Sequence, residues 1–108
     1  MIHKDDSVYI DHMLECIEKV EDYIGGDEEA FRQSTLVQDA VIRNLQIMAE
    51  SSQRVSQKTK DNYPEIPWRE ISGFRNILVH DYLGIDLDTI WSVVESDLPK
   101  MKAILFNM

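Results

Sequence analysis

Residues 75–82 read Arg-Asn-Ile-Leu-Val-His-Asp-Tyr, and the rest of the chain is organised around this stretch. It brings a guanidinium, an amide, an imidazole and a phenol together within eight residues. It also stands near the end of a predicted helix, because Gly84 or the residues just before it end the helical pattern. We therefore expect a functional centre at one end of a helix.

The helix that carries this stretch is predicted to begin at Pro67, because proline is well tolerated in a first helical turn. Its apolar stripe consists of Ile71, Phe74 and Leu78. At about 100° per residue, Asn76 and His80 fall on the side opposite that stripe. Arg75 and Tyr82 fall at the edge of the core side.

Three further helices are predicted from apolar residues at helical spacing. They cover residues 6–24, capped by Asp6 or Ser7 and ended by Gly25-Gly26; residues 35–59, capped by Ser34; and residues 87–106, capped by Asp86. A short helical turn is expected within residues 27–34. Pro99 predicts a kink or break near Leu98. The polar segment from Ser51 to Asn62 is expected to protrude.

No stretch alternates apolar and polar residues as a strand would. The chain is predicted to be all-α: one domain over residues 1–108, folded as an antiparallel four-helix bundle with short extra helical turns. The apolar face of the first helix is wide enough to touch a second chain. Dimerisation through helices is therefore expected.

The composition indicates the expected cellular compartment and the expected kind of nucleic-acid binding. Its single cysteine, Cys16, cannot form an internal disulfide, which fits a reducing compartment. No secretory signal and no run of about 18 apolar residues is present, so we expect a cytoplasmic protein without a membrane span. The net charge of −9 argues against a protein that coats nucleic acid by bulk electrostatics.

One basic segment interrupts this acidic chain. Residues 43–60 carry four cationic side chains against Glu50: Arg43, Arg54, Lys58 and Lys60. Such an island is a candidate phosphate-facing patch and a possible RNA contact. It is equally explained by a solvated helix end, where basic residues complement the helix dipole.

The residue types in the stretch at 75–82 suit RNA cleavage, because the ribose 2′-OH is a nucleophile already beside the phosphate. Such cleavage needs a proton acceptor near neutral pH, which His80 supplies. It also needs a fixed positive charge, which Arg75 supplies. Asn76 can orient the phosphate or the ribose, and Tyr82 can stack on a base or bond a phosphate. Because one histidine cannot easily be both base and acid, two copies sharing one cleft are expected.

Plainer explanations remain for each of these residues. His80 can be a surface residue, Arg75 can form an ordinary ion pair, and Asn76 can bond His80 locally. His12 and Cys16 are spaced as metal ligands, but two ligands without a second pair make a poor site, so no metal is expected.

Arg75, a polar Asn76, His80 and Tyr82 form an Arg-x4-His-x-Tyr pattern that resembles the HepT branch of the HEPN superfamily. The resemblance extends over nearly the whole chain, on the following residues: Gln38-Asp39-Ala40-Val41, Arg43-Asn44-Leu45, Trp68, Ile71, Gly73-Phe74, Ile85-Asp86 and Trp91. It differs at Ala49-Glu50-Ser51, where relatives usually have Gly-Glu-Ala, a change that bears on close helix packing.

This resemblance implies a homodimeric, metal-independent ribonuclease, the toxin of a type VII toxin–antitoxin pair, acting on tRNA or mRNA with Arg75 and His80 as catalytic residues. It needs no cofactor. It further implies a minimal nucleotidyltransferase antitoxin, MntA, that attaches AMP to Tyr82. Bulky anionic groups there would occupy the phosphate site and repel RNA.

Two other functions fit the same residues. One is a non-catalytic helical module that binds a nucleotide or a nucleotidyltransferase partner. The other is a purely structural helical dimer. RNA cleavage in the presence of a chelator distinguishes the enzyme from both.

Overall fold

The computed structural model describes residues 4–80 and 86–108, and the side chains of Lys4 and of residues 75–80 are outside that description. Every regular element in the described residues is helical, and none is a strand. The elements are α1 (Lys4–Ile24), α2 (Glu28–Gln33), α3 (Thr35–Arg54), α4 (Gln57–Asn62), α5 (Trp68–His80), α6 (Leu87–Ser92), a π-helical segment (Val93–Asp97) and α7 (Leu98–Phe106). The predicted all-α bundle is confirmed.

The centre of the bundle is the packing of α1 against α3, and α5 packs on the other side of α3. The start of α1 lies beside the residues that follow α3, so these two helices are antiparallel. Fully buried side chains from both fill the interface: Met13, Ile17, Val20, Val41, Met48 and Ala49. Ala49 and Ser51, at the place where the sequence differs from relatives, are both buried.

Local signals in the sequence set most helix ends as predicted. Gly25 and Gly26 have φ of 59° and 75°, a left-handed conformation that ends α1 without a side-chain clash. The Ser34 hydroxyl accepts from the backbone N–H of Val37 and caps α3. The Asp86 carboxylate accepts from the N–H groups of Asp88 and Thr89 and caps α6.

The N-terminal cap predicted for α1 is wrong. The helix already includes Lys4, so Asp6 and Ser7 lie inside it. Asp6 is buried, and its carboxylate accepts from the Ser56 backbone N–H at 2.9 Å and hydroxyl at 2.6 Å, and from the Thr59 hydroxyl at 2.6 Å. Because Ser56 caps α4, this carboxylate stands at a helix N-terminus, where negative charge is favourable.

The same contact corrects two predictions about residues 51–62. The helix predicted over residues 35–59 ends at Arg54 and restarts as α4, because Val55 and Ser56 take extended backbone conformations. The segment does not protrude: Ser51, Ser52 and Thr59 are buried. Its polar groups find partners inside the fold, which a count of apolar residues does not reveal.

Helix α5 begins directly after Pro67, whose carbonyl accepts from the N–H of Ile71 at 3.0 Å. Ile71 is fully buried and Phe74 is half-buried against the core, so the predicted inner face is correct at these positions. The predicted end of this helix near Gly84 lies outside the described residues.

A kink or break was predicted near Leu98; the structure has there a π-helical segment, Val93–Asp97, that passes into α7 at Leu98 without a break. The backbone stays right-handed helical at Val93 and Leu98, and the turn between them widens, with the Leu98 N–H bonded to the Val93 carbonyl. Pro99 has no N–H to donate, and its ring crowds the preceding turn of the helix. A wide π-type turn at that place is one way for a helix to accommodate a proline. Across the described ranges, no helix is long and apolar enough to cross a membrane.

Candidate functional site

The backbone of α5 positions the residues that the sequence singles out. Arg75, Asn76 and His80 are helical, but their side chains are outside the described part of the structure, and Tyr82 is entirely outside it. With Ile71 turned into the core, a rotation of about 100° per residue places positions 76 and 80 on the outer face of α5. Position 75 falls nearer the core edge.

Two described residues lie on the same outer face. Arg69 and Ser72 precede Asn76 by seven and four positions, spacings that keep residues on one side of a helix. Arg69 is exposed and Ser72 is half-buried. Neither residue was predicted as a site residue, although the sequence spaces both at helical intervals from Asn76 and His80.

Arg69 and Ser72 line a groove between α4 and α5, which we call the α4–α5 groove. It has a volume of about 490 Å³, within the range of small-ligand sites. Lys60 and Asp61 border it from α4, and Trp68 borders it from the first turn of α5. The groove therefore joins an aromatic ring and two cations to the face that carries positions 76 and 80.

The four basic residues predicted as RNA contacts lie on two helices, Arg43 and Arg54 on α3 and Lys58 and Lys60 on α4. Arg43 is exposed on α3, and the Arg54 guanidinium carbon lies 6.0 Å from the ring centroid of Tyr9. Lys58 is exposed on α4. Lys60 is half-buried and lines the α4–α5 groove, as Arg69 does.

The described chain resumes at Asp86, and side-chain contacts hold the start of α6 in place. The pKa of the Asp86 carboxyl is lowered, first because the Thr89 hydroxyl donates to it at 2.8 Å. Arg32 on α2 bonds both Glu28, at 2.8 Å, and Asp88, at 2.7 Å, and these partners raise the pKa of its guanidinium. These contacts anchor α6.

His12 and Cys16 lie on one wall of a smaller cavity of about 220 Å³. Burial raises the pKa of the Cys16 thiol, which makes it a poor nucleophile. Among the side chains that the structure describes, those of residues 5–74 and 86–108, no three of the metal-binding types come together.

Comparisons with known proteins match this architecture. A family model described as Ribonuclease HepT-like matches residues 13–108. A Thermococcus cleftensis protein named "Probable ribonuclease HepT" is 38% identical over 101 residues, which cover 93% of this chain and 89% of that protein.

Two further similar proteins differ in their identity to this chain and in the share of their own length that it covers. A Methanocaldococcus jannaschii protein, whose name joins a gamma-glutamylcyclotransferase to an RNase, is 39% identical over 102 residues; the match covers 94% of this chain but 46% of that relative. A solved structure of a tri-AMPylated Shewanella oneidensis HEPN toxin in complex with an MNT antitoxin aligns with a TM-score of 0.71 over 96% of each chain at 24% identity. This last likeness shows a common fold.

Proposed function

The chain belongs to the HepT-like ribonuclease family, and we propose that it is a ribonuclease toxin that cleaves RNA without a metal ion. The observation that carries this proposal is the family match over residues 13–108, which includes the whole Arg-x4-His-x-Tyr pattern. The register of α5 supports it, because positions 76 and 80 occupy an outer helix face next to a groove that contains cations. A tRNA or mRNA substrate places this activity in the cytoplasm.

In the proposed reaction, the ribose 2′-oxygen forms a bond to phosphorus and the bond from phosphorus to the 5′-oxygen breaks. The 2′-proton passes to an imidazole, and a second imidazolium returns a proton to the departing 5′-oxygen. His80 takes these roles, and Arg75 stabilises the negative charge that builds up on the phosphate oxygens. Asn76 positions the phosphate. The products are a 2′,3′-cyclic phosphate and a 5′-hydroxyl.

Two protons move in this scheme, so two copies of His80 serve it better than one. We propose a homodimer in which both copies of Arg75 and His80 face one cleft. A variant carrying His80→Ala in one subunit of a mixed dimer then lowers cleavage by that dimer, because one of the two proton-transfer groups is lost.

Regulation is proposed to act on Tyr82. A minimal nucleotidyltransferase antitoxin of the MntA type attaches AMP to its hydroxyl and silences the enzyme. The fold neighbour offers a precedent, since it is described as AMPylated and bound to an MNT antitoxin. AMP phosphates close to Arg75 and His80 repel the RNA backbone. Intact mass before and after incubation with the antitoxin and ATP tests this step, and Tyr82→Phe abolishes the added mass.

RNA contact outside the reacting phosphate is proposed for Arg43, Arg54, Lys58 and Lys60. Exposed cations strengthen RNA binding by releasing counterions from the phosphates. Of these, Lys60 is supported best, because it lies in the α4–α5 groove near the outer face of α5.

The experiment is incubation of the purified protein with total RNA in excess chelator. The proposal predicts fragments ending in a cyclic phosphate, because the 2′-oxygen is the nucleophile. Tight binding of RNA, nucleotide or antitoxin without any fragments contradicts it and favours a non-catalytic binding module.

A further inference from the structure

The α4–α5 groove has a rigid aromatic wall. The indole N–H of Trp68 donates to the backbone carbonyl of Tyr63 at 3.0 Å, which fixes the orientation of the ring. The ring is half-buried and packs against the core, yet it also lines the groove. An anchored aromatic ring beside open space can contact a nucleobase with little loss of side-chain freedom.

Cations stand next to that wall. The Lys60 ammonium nitrogen lies 5.9 Å from the ring centroid of Trp68, and Arg69 borders the same groove. In the part of the chain that the structure describes, neither cation forms an ion pair. Both charges therefore remain available for an anion.

One carboxylate shares the groove. Asp61 lines it, but its carboxylate accepts from the side-chain amide of Gln57 at 2.8 Å. Its charge leaves a balance of one positive charge among Lys60, Arg69 and Asp61. A ligand with one phosphate per base fits this balance better than a highly charged anion.

The groove and the proposed cleavage site share helix α5, and positions 69 and 72 lie on the same face of this helix as positions 76 and 80. Ser72 and Asn76 are one helical turn apart, about 6 Å along the axis of α5, and Arg69 precedes His80 by about 16 Å. A strand whose scissile phosphate lies over positions 76 and 80 therefore reaches the groove within a few nucleotides.

We propose that the α4–α5 groove is a subsite for a nucleotide that flanks the scissile phosphate of single-stranded RNA. Trp68 contacts the base, and Lys60 and Arg69 bind the phosphate. Asn76 and His80 continue the same path toward the reacting phosphate. This inference rests on the proposed ribonuclease function, but its test measures binding and not cleavage.

The test uses a fluorescent 2′-O-methyl oligoribonucleotide, which lacks the 2′-OH nucleophile and cannot be cleaved. We expect Lys60→Gln and Arg69→Gln each to weaken its binding about five- to tenfold. Each variant also lowers the magnitude of the slope of log affinity against log salt by about 0.7, because one phosphate contact to a single strand is lost. Lys100→Gln is the matched control, since it removes an exposed lysine of α7 outside the groove.

Replacing Trp68 would also disturb the core, so its contact is measured by fluorescence. In a Trp91→Phe background Trp68 is the remaining tryptophan of the chain, and the oligonucleotide is expected to quench it. The subsite is overturned if Lys60→Gln and Arg69→Gln weaken binding no more than Lys100→Gln does. It is also overturned if RNA leaves the emission of Trp68 unchanged. Weakened binding of an antitoxin with RNA binding intact also overturns it. Groove-dependent binding of this probe, together with no cleavage of the unmodified RNA of the same sequence, refutes the enzyme and leaves the groove standing as a nucleotide-binding site.

Discussion

The Thr59 hydroxyl donates a 2.6 Å hydrogen bond to the carboxylate of Asp6, although the two residues are 53 positions apart. Ser56 donates to the same carboxylate through its backbone N–H and its hydroxyl. This polar contact ties the start of α1 to the start of α4. It thereby fixes the wall of the α4–α5 groove that carries Lys60.

Removing that carboxylate is expected to destabilise the fold. Asp6→Ala leaves the buried hydroxyl of Thr59 and the partly buried donors of Ser56 without their acceptor, and a loss of about 2 kcal/mol in the free energy of unfolding follows. Urea unfolding followed by circular dichroism measures it. Asp11→Ala, an exposed site on the same helix, changes stability by less than about 0.5 kcal/mol. Equal stabilities of the two variants would show that the Asp6 contact contributes little.

The glycine in α5 gives a second test. A Cβ built on Gly73 meets no atom within 4 Å, and a helix-interior glycine costs about 0.5–1 kcal/mol relative to alanine. Gly73→Ala is therefore expected to raise the free energy of unfolding by about that amount. Gly26→Ala should lower it, because Gly26 has a φ of 75° that alanine rarely adopts. The two changes must have opposite signs in thermal or urea unfolding; a destabilising Gly73→Ala would mean that α5 packs more tightly than described.

The cap of α6 predicts a pH effect. The pKa of Asp86 is lowered in the folded chain, first by the Thr89 hydroxyl, so this contact stabilises the fold above the unfolded pKa and is lost as pH falls through the folded value, below about pH 4. Thr89→Val removes the hydroxyl donor and keeps the side-chain shape. We expect the pKa of Asp86 to rise toward its ordinary value in this variant, as measured by NMR titration of the carboxyl carbon. An unchanged titration would assign the lowered pKa to the backbone N–H groups instead.

Helix ends were predictable where the signal and its effect lie within a few residues. Ser34 and Asp86 cap the helices that follow them, and Gly25-Gly26 ends α1, because each acts on neighbouring backbone groups. The start of α4 also has a local signal, because the Ser56 hydroxyl accepts from the N–H of Thr59. The burial of Thr59 was not predictable in this way, because its partner Asp6 is distant in sequence, and residues 51–62 were therefore predicted to protrude.

The candidate site, too, was predictable only where it depends on neighbouring residues in the sequence. The outer face of α5 could be derived from helical spacing, and the same spacing places Arg69 and Ser72 on that face. The placement of Lys60 beside Trp68 could not be derived from helical spacing. It depends on the path of residues 63–67 and on the hydrogen bond from Trp68 to Tyr63. Lys60 was predicted to act together with Arg43, whereas in the structure it lines the same groove as Arg69.

The most direct test of the account is single-turnover cleavage of RNA in excess chelator by the unchanged chain and by Arg75→Ala and His80→Ala. We expect loss of the phosphate charge or of the proton-transfer group to reduce the rate by at least about 100-fold, with helix content and oligomeric state unchanged. Cleavage by either variant at the rate of the unchanged chain would contradict the assignment of Arg75 and His80 as catalytic residues.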